Sequence, residues 1–335
     1  MYTLAVMNLT LGEYSSAFQV ALIVEWALLG LNFLENTLVW YMIHFTSQYH
    51  PNLSLIFEQL SNQYFVSLLS RMFIIYMQII EPNLDVLLEN RYFLFATWLR
   101  NSLLFTAFYC APFLVFERVF ATYYMRDYET NQRRWISYII VALFYVYPIS
   151  MAQIFIFEEN SRQYQIFVIA LVNFIAFLLT IYLGKYNKMK YDKLRKSLNS
   201  KYSLSARTQL AENINSSRPF QLLCLLVALF SLLSSSLLHI DEFTSDEYIK
   251  NVAYVVFNIC CWSYGTFVPI ILLFFNKMWQ KEMKSLLNKM TCQSSVEPQL
   301  VRPTTTKVAD TFGNNCYVAD SMHTDVYFSQ FNAEW

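Results

Sequence analysis

The residues of this chain that could do charge chemistry are few and unusually placed. Glu117 and Arg118 stand side by side at the end of an apolar run, Tyr92 to Phe116, with Asp127, Tyr128 and Glu129 close behind. Arg100 lies within that run, and Glu25, Glu35, Glu58 and Arg71 interrupt two earlier apolar runs. An acid–base pair at the foot of an apolar helix has two readings. It is a basic helix end whose charge a neighbouring Glu neutralises. Or it is a two-state latch, an Arg held by acids in one helix arrangement and released to a partner in another. Catalysis finds little support. His44, His50, His239 and His323 never fall together within one apolar run, and Cys110, Cys224, Cys260, Cys261, Cys292 and Cys316 lack zinc-ligand spacing or a disulfide framework. The reading is therefore a non-enzyme with no cofactor and no metal.

Something must hold these charges, and composition says what. Hydrophobic residues make up 56% of the 335 and charged ones 14%, where soluble domains carry about 25% charged. That surplus exceeds what a water-soluble globule can bury. A formal net charge of zero argues against nucleic acid as a partner. Runs long enough to cross a bilayer, about 20 residues, occur at Phe18–Ile43, Leu53–Ile80, Tyr92–Phe116, Trp135–Phe157, Tyr164–Leu183, Phe220–Ile240 and Val252–Phe275. In lipid the backbone must satisfy its own hydrogen bonds, so these are helices. No ten-residue alternating segments suggest a barrel. The fold class is all-α, a polytopic seven-helix membrane bundle; a six-span alternative would drop one of the first two, which carry several polar residues.

Orientation follows from Lys and Arg. The segments Glu117–Arg134, Lys185–Pro219 and Asn276–Trp335 hold four, nine and six of the 24, whereas the alternate connections hold Arg91, Arg162 and Lys250 and many acids. Basic connections stay cytoplasmic, which puts the N-terminus outside and the C-terminus inside. The expected organisation is an extracellular segment 1–17, the bundle 18–275, an amphipathic helix 276–290 on the inner lipid surface, and a disordered tail 291–335. No removable signal peptide is legible, and the first span reads as a signal anchor. Asn8-Leu9-Thr10 is a glycosylation sequon on the outer side. Cys292, just past the amphipathic helix, is a palmitoylation candidate, with an unmodified thiol as the alternative.

Two stretches carry a resemblance. "ERVFATYYMRDYE", Glu117 to Glu129, resembles the end of the third span in nematode serpentine chemoreceptors of the Sra superfamily. "YSLSARTQLAEN", Tyr202 to Asn213 in the third cytoplasmic loop, resembles the signature of the class epsilon (Sre) branch through Ser203, Leu204, Ser205, Arg207, Gln209, Glu212 and Asn213. Thr208 stands where an aromatic residue is expected. The resemblance implies a G-protein-coupled chemosensory receptor in the plasma membrane or cilium of a sensory neuron, with a small-molecule cue and a heterotrimeric G protein as partners. Receptor oligomers are left open. It also implies Glu117, Arg118, Asp127, Tyr128, Glu129, Arg207, Gln209, Glu212 and Asn213 as switch and coupling residues. Devices of rhodopsin-like receptors are missing: no outer Cys pair, no Asn-Pro in the seventh span, no Pro within Gln221–Ile240. The nine basic residues of Lys185–Arg218 have two explanations, topology alone or faster docking of an acidic partner surface.

Helix geometry adds an expectation about the outer half. Arg100 and Arg118 are eighteen residues apart, five turns at 3.6 residues each, so they share a face unless Pro112 rotates the phase. Arg100 and Glu25 lie about 10–12 Å and Arg71 about 13 Å below the outer surface. Glu25, Asn32 and Asn36 share one face. Three accounts stay open: a Glu25–Arg ion pair that only holds helices together, a ligand pocket of two Arg and one Glu suited to an acidic or strongly hydrogen-bonding molecule, and an apolar pocket lined by Phe and Tyr. The rival function is a transporter or channel that uses the intramembrane charges as a path. Against it stand the odd span count and the lack of a repeated half.

Overall fold

The computed structural model describes residues 6–10, 14–46, 49–125, 133–158, 161–196, 204–240, 243–290, 308–309 and 315–316. They divide into two units, Met1–Gln280 and Lys281–Trp335. The first is a helix bundle of α1 (Ser15–Phe45), α2 (Pro51–Ile80), α3 (Leu84–Glu89), α4 (Arg91–Phe108), α5 (Cys110–Tyr123), α6 (Arg134–Phe157), α7 (Arg162–Lys196), α8 (Leu204–Leu238) and α9 (Glu247–Phe275). Helix α10 (Lys277–Met290) follows. In the second unit, β1 (Val308–Ala309) and β2 (Asn315–Cys316) pair antiparallel, Val308 opposite Cys316. Cys292 and most of the tail lie outside the described residues.

Each of the seven apolar runs is helical. Six stand alone as candidate spans, and α4 with α5 forms a seventh, bent by 43°. Burial is inverted relative to a soluble protein. Ile23, Leu69, Phe95, Val146, Leu229 and Ile259 are exposed, while Asn32, Gln78, Asn173 and Asn258 are buried. That is what lipid selects: apolar side chains outward, hydrogen-bonding ones between helices. "Outer" and "inner" below follow the Lys/Arg sorting.

The bend in the third span has an identifiable cause. Pro112 has no N–H for the carbonyl four residues back, that of Phe108, and its ring crowds that carbonyl. The helix breaks at Tyr109, and the freed Phe108 oxygen accepts from Asn173 Nδ2 on α7 at 2.8 Å. Asn173 also bonds Ile169 O at 3.0 Å and Ser231 Oγ on α8 at 3.2 Å. One buried amide thus ties α4, α7 and α8. Asn173→Leu should cost about 1–3 kcal/mol, the range for stranding a buried polar group. The expected readout is a lower melting temperature in detergent; an unchanged value would mean the Phe108 carbonyl needs no partner.

The segment expected as the third cytoplasmic loop is a correction. From Leu204 onward the "YSLSARTQLAEN" stretch belongs to α8, which, like α7, is 35 residues long. At 1.5 Å per residue each runs about 52 Å, well past the hydrocarbon core of about 30 Å. Leu, Ala, Arg, Gln and Glu are good helix formers, so the helix begins well before hydropathy rises. Pro219 sits inside it, and the residue whose carbonyl it frees, Asn215, is exposed.

At the outer end the N-terminal segment closes against the bundle. Val6 joins Ile74, Leu87, Phe93 and Ala96 in an apolar cluster. Met7 O accepts from Gln78 Nε2 at 2.9 Å. Asn8 N donates to Asn251 Oδ1 at 2.9 Å, and Asn251 Nδ2 returns a bond to Asn8 O at 2.8 Å. The sequon is therefore a turn docked on α9, with Thr10 N and Oγ1 both donating to Asn8 Oδ1. At the inner end Asn276 caps α10 by accepting from Trp279 N at 3.0 Å. Trp279 is fully buried, its ring edge-on to Tyr49, so it packs against protein and not lipid.

Candidate functional site

Two polar clusters stand on either side of an apolar middle. The inner one is built on α5. Glu117 is fully buried and Arg118 nearly so. Neighbours on a helix diverge by about 100°, so the pairing depends on the long Arg arm turning back. Arg118 Nε and Nη2 donate to the two Glu117 oxygens. Its Nη1 crosses to α8, donating to Asn213 Oδ1 at 3.2 Å and Glu212 Oε1 at 3.5 Å. Glu212 Oε1 also accepts from His50 N at 3.4 Å. The Arg118 guanidinium lies over the Phe220 ring, 5.7 Å from its centre. One turn on, Thr122 Oγ1 accepts from Asn187 Nδ2 on α7 and Asn213 Nδ2 on α8. Tyr49, between α1 and α2, accepts from Asn276 Nδ2 at 3.4 Å. Burial pushes its phenol above the usual range, so it stays neutral.

The outer cluster joins four helices. Arg71 on α2 donates to Glu25 on α1 through Nε and Nη2, both at 2.6 Å. Arg100 on α4 donates through Nη2 to Asn258 Oδ1 on α9 and sits 5.5 Å from the Phe257 ring centre. Glu25, Arg71, Arg100, Asn258 and Cys261 line one cavity of ≈ 520 Å³, its open mouth included. A second cavity of ≈ 560 Å³, lined by Asn36, Phe57, Cys110, Leu223 and Pro269 among others, lies on the inner side of it. Gln63, Tyr64 and Tyr264 border both. Tyr64 accepts from Asn32 Nδ2 at 2.9 Å, and a Cβ on Gly265 would fall on its phenol. Only glycine leaves that space.

The chain matches the family model described as Sre G protein-coupled chemoreceptor over residues 2–335. It belongs to the Sre family. It is 30% identical to serpentine receptor class epsilon-8 of Caenorhabditis elegans over 324 residues, 94% of this chain and 91% of that one. It is 28% identical to serpentine receptor class epsilon-13 of the same organism, covering 74% of this chain and 71% of that one. A multi-pass membrane protein of a chemoreceptor family is thus the coarse identity.

Within this Sre chain, several expected site residues meet. Glu212 and Asn213 of the signature reach Arg118, and Glu25 pairs with Arg71 rather than Arg100. Arg100 and Arg118 are both buried, so the break at Tyr109 does not turn either outward. Arg207 and Gln209 lie in α8, their side chains outside the described residues, as are Asp127, Tyr128 and Glu129. Sequence reading missed Asn258, Gln63, Tyr64, Thr122 and Asn187. The available signal was a single polar residue inside an apolar run, which marks an inward face but names no partner.

Proposed function

We propose that this Sre chain is a chemosensory receptor of the plasma membrane. It takes a small-molecule cue in the outer-half cavity and passes the signal through Arg118 to a cytoplasmic G protein. The observation that carries the reading is the Arg118 bond to Glu212 and Asn213. It ties the foot of α5 to α8 through a charge that a change in helix spacing would release to a partner. A channel path finds less support, because Glu25 and Arg71 are locked to each other and, among the described residues, the wall of the cavity inward of them carries no charged residue.

The test has two arms. A tag before Phe18 should be accessible on intact cells and one after Lys289 only after permeabilisation. In isolated membranes, the receptor should raise nucleotide exchange on a co-expressed G protein above receptor-free membranes. Surface access of the C-terminal tag would overturn the topology. Receptor-dependent current in cells lacking the G protein, with no exchange, would replace the reading with a channel.

A further inference from the structure

The hydrogen-bond inventory of the outer cavity is lopsided. Glu25 spends both oxygens on Arg71 Nε and Nη2, and Asn258 spends its oxygen on Arg100. Left without a partner are Arg71 Nη1 and Asn258 Nδ2, both donors, on side chains each 3% exposed. Two guanidinium charges and one carboxylate charge share the cavity, so one positive charge is uncompensated by any carboxylate on its wall. Buried donors without acceptors are costly and uncommon in native structures. A buried charge lacking a counterion is costlier still. Both deficits have the same remedy, a group with several acceptor atoms and one negative charge.

We infer that this cavity binds a small organic molecule through a carboxylate, held by Arg71 Nη1, Asn258 Nδ2 and the Arg100 guanidinium. The inference rests on the reading of this cavity as the cue site and names the class of cue. A carboxylate carries two oxygens and about four acceptor directions, enough for all three donors at once. Arg forks favour it over a spherical ion. The remaining unpartnered atom on the wall is Gln63 Oε1. It lies eight residues before Arg71 on α2, about 12 Å farther from the outer surface. A Gln amide presents either its oxygen or its nitrogen, so it suits a second polar group at the far end of the ligand. Between them Leu29, Leu68, Leu103 and Leu104 supply an apolar wall. The cue is thus an amphiphile with an anionic head toward the outer surface and an apolar body.

The probe is propionate, added at millimolar concentration to the full-length detergent-purified receptor, with melting temperature as readout. A ligand that binds the folded state raises it with concentration. Propionate should raise it, while propionamide and chloride should not, and the shift should disappear in Arg100→Met and in Asn258→Leu. An equal shift from propionamide would mean a neutral acceptor site, and one from chloride a simple halide site. Either overturns the carboxylate assignment, as does no shift from propionate. A shift that survives both variants places binding elsewhere and overturns it too. If one variant fails to fold, the other still locates the site, and the three probes on the parent protein decide the ligand class. No G protein is present in this assay. Failure here therefore leaves coupling intact, and failure of nucleotide exchange leaves this binding intact.

Discussion

Glu212→Gln combined with Asn213→Leu is expected to raise cue-independent signalling about 5–150-fold, the factor for a coupling of about 1–3 kcal/mol between two states. The geometry selects these residues over Glu117. Glu117 and Arg118 are consecutive on α5 and stay together wherever α8 goes. Arg118 Nη1 reaches across to Glu212 and Asn213 on α8, and Asn213 also donates to Thr122 on α5. Weakening these bonds lowers the cost of separating the feet of α5 and α8. Nucleotide exchange per surface receptor is the measurement; a basal rate equal to the parent's would show that this contact is static. The same geometry revises what Arg118→Ala should do. Sequence alone suggests a variant that reaches the surface and signals poorly. With Glu117 fully buried, removing Arg118 takes away the bidentate charged partner of a buried carboxylate, and breaking such a pair costs about 3–5 kcal/mol. That is a large share of a typical stability of about 5–15 kcal/mol, so surface level should fall first. Arg118→Lys, which keeps the charge, should recover much of it.

How far the sequence shows this arrangement depends on the kind of contact. The seven spans are legible because length and hydropathy are properties of one segment. The bend is half legible: Pro112 marks it, but a missing N–H acts four residues back, so the break falls at Tyr109 and not at the proline. The inner part of α8 is not legible from hydropathy, since the helix begins outside lipid, ahead of its apolar run. Cross-helix partners are the least legible. Glu25 could be placed on an inward face, yet the choice of Arg71 over Arg100 depends on how α1, α2 and α4 pack. Asn258, which takes Arg100 instead, is one polar residue in an apolar run.

The Glu25–Arg71 pair is where the structural and the ligand-binding accounts part, and paired substitutions separate them. Glu25→Leu should strip the receptor from the surface, because it leaves Arg71, 3% exposed, without its bidentate carboxylate. Losing one partner of a buried pair costs about 3–5 kcal/mol. Arg71→Leu should do the same by stranding Glu25. Replacing both is different: a packed apolar pair avoids both desolvation costs and is often neutral or stabilising by about 1–4 kcal/mol. Glu25→Leu with Arg71→Leu should therefore return to the surface at near the parent level. If the pair only fastens helices, that rescued receptor keeps its response to an activating compound. If Arg71 Nη1 is one of the donors that hold the cue, the rescued receptor folds and loses potency by a factor of about 10 or more, the worth of one hydrogen bond to a charged group of about 1.5–3 kcal/mol. Potency equal to the parent in the double variant would remove Arg71 from the binding site and leave it the structural role alone.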